Sequence, residues 1–120
     1  MAETKYAVVL GLECKDPREL KKMTLAEARI KACRIAIMQR KKYSNSYNRV
    51  GIFTEDRNHV SAGHYMPKLI EDVSYSDKER AITGDVFDGF YLVQWGTNRK
   101  YRVSPKTGRL LDISRDFRYI

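Results

Sequence analysis

The residues from Thr24 to Lys42 repeat with a helical period, and a helix this apolar constrains the fold more than any other stretch of the chain. Thr24-Leu25-Ala26-Glu27 has the form of a capping box: the Thr24 hydroxyl accepts from the Glu27 N–H, and the Glu27 carboxylate reaches back to the N–H of Thr24. Leu25, Ala28, Ala32, Ile35, Ala36 and Gln39 share one face. Ala26, Ile30, Cys33 and Ile37 form a second apolar strip, with Arg29 and Arg40 between the two. The remaining arc holds Glu27, Lys31, Arg34, Met38, Lys41 and Lys42. A helix apolar over more than half its circumference is covered on two sides and meets water along one basic ridge. The first strip is expected to lie on a sheet. The second is expected to be covered by the middle of the chain or by a second subunit, which leaves room for a homodimer.

The flanking segments supply the sheet. Lys5 to Cys14 alternates Tyr6, Val8, Leu10, Leu12 and Cys14 against Ala7, Val9 and Gly11, with both faces largely apolar, as in a central strand. Lys15-Asp16-Pro17 ends it, and Pro17 to Met23 reads as a basic connector with room for a helical turn. Beyond the helix, Tyr43 to Asn48 is polar and turn-rich. Arg49 to Glu55 reads as a strand, Asp56-Arg57-Asn58 as a turn, and His59 to Met66 as a less regular strand pairing back. Lys68-Leu69-Ile70 fits a short strand or a helical turn. Ser76-Asp77-Lys78-Glu79 repeats the capping-box pattern and starts a short helix that Gly84 would stop. The tail predicts a meander. Its strands are Phe90 to Trp95, Lys100 to Val103 and Leu110 to Ile113, with turns at Gly96-Thr97-Asn98 and at Ser104 to Gly108. Ser114 to Ile120 is an aromatic and basic end piece. Together these predict one α+β domain over residues 1–120, an antiparallel or mixed sheet of five to six strands with one long helix packed on a face. The Tyr101-x-Val103 … Thr107-Gly108-x-Leu110 pattern resembles the last hairpin of PepSY-type domains over about a dozen residues, a pattern hairpins in general share.

Composition limits the class of function. Of 120 residues, 23 are Lys or Arg and 15 are Asp or Glu, a net charge of +8 that favours polyanionic partners: nucleic acid or an acidic protein surface. The excess is uneven. Glu55 to Asp88 contains eight acids against four bases, so the positive charge gathers in the first half and the tail. Two cysteines, Cys14 and Cys33, are too few for a disulfide framework and read as reduced, buried thiols. No apolar run is long enough to span a bilayer, no membrane partner is expected, and Lys5 precedes a short alternating run rather than a signal peptide. A cytoplasmic protein is the expectation.

The residues with chemistry to offer are few. Asp56, His59 and His64 could supply three metal ligands or a nuclease's general base, but an odd offset on a strand sends two imidazoles to opposite faces. Glu71, Asp72, Asp77, Asp85 and Asp88 could gather around Mg²⁺, although solvated loop acids are far commoner. The chain has no P-loop, dinucleotide fingerprint or nucleophile elbow, so no catalytic set, metal site or cofactor is expected and an enzyme is the weaker class.

The basic-aromatic clusters carry more. Arg40, Lys41, Lys42, Tyr43, Tyr47 and Arg49 gather where the helix ends, and Lys100, Arg102 and Lys106 lie on the tail hairpin. Alternation sets Lys100 and Arg102 against Tyr101 and Val103, so the two cations are expected to face outward, toward phosphates, with nearby tyrosines for stacking. The expected function is a small basic binding protein that contacts nucleic acid through these patches. A non-catalytic interaction module or inhibitor docking on an acidic or nucleic-acid-handling protein would carry the same charges. Cations at a helix C-terminus also offset its dipole without any partner.

Overall fold

The helix begins where its capping box places it. In the computed structural model, which describes residues 4–42, 49–76 and 89–112, α1 spans Leu25–Lys42. The Glu27 N–H donates to Thr24 Oγ1 at 3.1 Å and the Thr24 N–H donates to Glu27 Oε1 at 3.3 Å. Ala28, Ala32, Cys33 and Ala36 are buried, and Leu25, Ile35 and Ile37 pack at the margins of the same core. The first strip and Cys33 and Ile37 of the second therefore make one wide face centred on the alanines, whose small side chains let the helix sit close to the sheet, whereas Ala26 of the second strip is exposed. Cys33 and Ile37 need no second subunit to cover them.

Among the described residues seven antiparallel strands make the sheet: β1 (Lys5–Leu10), β2 (Lys21–Lys22), β3 (Val50–Ser61), β4 (His64–Tyr75), β5 (Phe90–Gln94), β6 (Arg99–Val103) and β7 (Leu110–Asp112), in the order β2-β1-β3-β4-β5-β6-β7. The expected five to six strands are thus corrected to seven. The additional one is β2: after a 3₁₀ turn at Pro17–Glu19, Lys21 and Lys22 pair with Tyr6 and Lys5 on an edge that the sequence pattern does not disclose. The Asp56-Arg57-Asn58 turn is also corrected. The Asn58 N–H donates to Asp56 Oδ1 at 3.0 Å, but within a bulge, where the register jumps from Asp56↔Met66 to Val60↔Tyr65. The chain reverses at Ala62-Gly63, whose φ values of 51° and 80° suit a two-residue hairpin turn. Lys68–Ile70 is strand, inside β4. The expected helix from Ser76 and the end piece from Ser114 lie outside the described residues, apart from Ser76, whose N–H donates to the Gly89 carbonyl.

Alternation decides which face each side chain joins. Val50, Ile52, Val73, Phe90, Leu92 and Val103 point at α1 and close the main core, with Tyr6, Val8, Tyr101 and Leu110 around them. The sheet curls round the helix, so that the β6–β7 turn reaches its first turn: a Cβ on Gly108 would lie 2.6 Å from the Ala26 carbonyl oxygen. On the opposite face Ala7, Leu20 and Phe53 form a smaller cluster with Val9, Cys14 and Leu69, which explains why β1 is apolar on both sides.

Candidate functional site

Two regions concentrate charge. The first is the solvent side of α1. Lys31, Arg34, Met38, Lys41 and Lys42 are all exposed, Arg40 is half-buried, and the chain has no acid from Ala28 to Lys42. Positions 31, 34, 38, 41 and 42 fall on one stripe of the helix, about 16 Å long at 1.5 Å per residue. Met38, 67 % exposed, sits in the middle of it. Lys41, Lys42 and Arg40 were expected here. Lys31 and Arg34 extend the patch beyond the expected cluster, and the signal for them was the polar arc of the helix itself.

The second region is the sheet face away from α1. Glu71 and Asp72 are adjacent in sequence and point to opposite faces, and each meets one guanidinium. On the helix side Arg29 donates from Nε to Glu71 Oε1 at 2.9 Å and from Nη2 to Oε2 at 2.7 Å. On the outer side Arg49 donates from Nε to Asp72 Oδ1 at 3.0 Å and from Nη2 to Oδ2 at 2.6 Å. Paired guanidinium and carboxylate forks of this kind are short, directional and orienting. Trp95 Nε1 adds a third donor, 2.8 Å from Asp72 Oδ2, and the Arg49 guanidinium lies 5.8 Å from the centre of the Trp95 ring. The registers Asp72↔Val93 and Val93↔Lys100 place exposed Lys100 on this face. Glu71 and Asp72 therefore do not converge on a shared cation.

Arg102 departs from its expected role. Tyr101 and Val103 face the core as alternation requires, but Arg102 is itself buried, at 0 % exposure. Its guanidinium stacks 4.7 Å from the Tyr91 ring centre and Nη2 donates to the Tyr91 hydroxyl at 3.0 Å. Its outward presentation to phosphates is corrected on that ground: period two assigns a side chain to a face and leaves open whether that face is wet. Lys106 is exposed on the β6–β7 turn, where its N–H and that of Thr107 each donate to Ser104 Oγ at 3.2 Å. Tyr43 and Tyr47 lie outside the described residues.

The histidines sit on the β3–β4 hairpin beyond the reach of β1 and β5, His59 in the bulge and His64 opposite Ser61. Among the described residues no three His, Cys, Asp or Glu side chains come together to hold a metal ion. A cavity of about 450 Å³ lies between β1, β2 and the start of α1 and is lined by Tyr6, Lys22, Met23 and Glu27, the last already engaged in the helix cap. Neither cysteine is in a reactive setting. Burial pushes the Cys33 thiol up to about 12, and burial also raises that of Cys14. Among the described residues no helix is long and apolar enough to cross a membrane.

No family model, curated relative or solved structure matches this chain.

Proposed function

We propose that this chain is a non-catalytic binding protein whose partner is nucleic acid, held through the phosphates by the outer ridge of α1. What supports this is the cationic stripe of Lys31, Arg34, Lys41 and Lys42, broken only by Met38 and by no acid, on the exposed side of a helix with no acid after Glu27. A stripe of like charge on a rigid element is costly in the free protein and is relieved by a polyanion. Offsetting the helix dipole accounts for Arg40, Lys41 and Lys42 in the last turn, but not for Lys31 and Arg34 further back. Lys100 and Lys106 remain outlying contacts in this picture, whereas Arg49 and Arg102 serve the sheet.

The test is a salt titration of oligonucleotide binding to the wild type and to two charge-reversed doubles, Lys31→Glu/Arg34→Glu and Lys41→Glu/Lys42→Glu. All four sites are exposed, so each double should keep its melting temperature close to the wild type. Each should bind more weakly, and the slope of log affinity against log salt should fall by roughly 0.7–0.9 for every phosphate that the variant no longer neutralises. Unchanged affinity and slope in both doubles would reject the ridge. Retention of an acidic polypeptide, with no oligonucleotide bound at low salt, would identify a protein partner.

A further inference from the structure

The single tryptophan of the chain is held in an unusual balance of fixing and exposure. Trp95 follows β5 on the outer sheet face and is 41 % exposed. Its Nε1–H donates at 2.8 Å to Asp72 Oδ2, and Asp72, 1 % exposed, also accepts both donors of the Arg49 fork, one of them on the same oxygen. The indole is thus anchored at its N–H by a carboxylate that is itself immobilised, with the Arg49 guanidinium 5.8 Å from the ring centre, while the residue as a whole stays partly exposed. Large, rigid, partly exposed aromatics of this kind act as anchors in interfaces, because little rotamer entropy remains to be lost on binding.

We infer that Trp95 is a stacking platform for an unpaired base of a single-stranded nucleic acid, and this rests on the proposal that the chain binds nucleic acid. The chemistry of bases and one charge on this face select the occupant. Every base presents a π-face that a pre-oriented indole can take, and in a duplex those faces are covered by neighbouring base pairs. Exposed Lys100 lies on the same face, opposite Val93 on the neighbouring strand and so two residues along from Trp95, and supplies positive charge for the strand's phosphates. This surface is on the opposite side of the sheet from α1, so it adds a contact separate from the ridge. Without a base to stack on, the indole would only brace Asp72 and Arg49, and its loss would alter stability alone.

Because the chain has one tryptophan, its emission reports this residue directly. Titrating the full chain with a short fluorescein-labelled oligothymidylate at low salt should quench the emission along the same isotherm as the rise in anisotropy. The unlabelled duplex of matched length should leave the emission unchanged. Trp95→Ala should weaken single-strand binding by about 5- to 150-fold, the span expected for removing one base stack, and Trp95→Phe, which keeps a ring, should weaken it less. The wild-type emission carries the test should Trp95→Ala fail to fold. An anisotropy rise with unchanged emission, or wild-type affinity in Trp95→Ala, would overturn the platform and leave the helix ridge standing. Equal quenching by duplex would overturn the single-strand assignment, and no binding of either oligonucleotide would overturn the platform together with the nucleic-acid proposal.

Discussion

At the scale of single residues, the buried charges are the most consequential. Arg29 lies on the helix between the two apolar strips, and its side chain is 15 % exposed against 4 % for Glu71. Removing one partner leaves the other charge buried without compensation, so Arg29→Ala or Glu71→Ala should cost about 3–5 kcal/mol in urea unfolding. The double replacement Arg29→Met/Glu71→Leu should cost less than either single change, since it restores an apolar contact; a double mutant no better than the singles would show the pair to be more than a satisfied burial. Cys33 makes a second prediction. Its folded thiol titrates near 12, against 9.0 for an unburied thiol, so above pH 9 the unfolded chain releases a proton that the folded chain keeps. Stability attributable to this site is therefore complete below pH 9 and declines as pH rises toward 12. Chemical denaturation across that window should fall less steeply for Cys33→Ala than for wild type. Equal slopes would place the thiol in water.

Among the elements, the helix and the β6–β7 turn depend on one another. Gly63 and Gly108 both have positive φ, 80° and 74°, and an alanine at either is strained. Only Gly108 also meets backbone: its added Cβ would lie 2.6 Å from the Ala26 carbonyl oxygen and 2.9 Å from the Ala26 Cα, whereas Gly63 faces open space. Gly63→Ala should cost about 1 kcal/mol and Gly108→Ala distinctly more, because the turn must withdraw from α1. Equal melting temperatures for the two variants would mean that the turn does not rest on the helix. The Thr24 cap tests the same end of α1, and Thr24→Ala should cost about 1 kcal/mol.

For the whole molecule, a net charge of +8 on a small domain means self-repulsion that counter-ions or a bound polyanion relieve. An oligonucleotide present well above its dissociation constant should raise the melting temperature at low salt, and the rise should vanish as salt weakens binding. A melting temperature indifferent to oligonucleotide at low salt would speak against any folded-state phosphate contact. The exposed basic stripe and the anchored Trp95 lie on opposite sides of the sheet, so losing one should leave the other's contribution intact, within the limits of additivity for distant sites.

Local signals carried much of this protein. The capping box, the helix, the two-sided apolar β1, the inward Tyr101 and Val103 of β6 and the turn at Pro105–Gly108 follow from period and from turn chemistry, which act between residues near in sequence. The basic ridge was visible for the same reason. The remainder depends on partners distant in the chain. Lys21-Lys22 becomes a strand because the β1 edge lies beside it, and Asp56-Arg57-Asn58 becomes a bulge because β4 continues the ladder past it. The fates of Arg49 and Arg102 were hidden for that reason. A guanidinium reads alike in sequence whether it meets solvent, Asp72 or the ring of Tyr91, and only the register between strands brings those partners within reach.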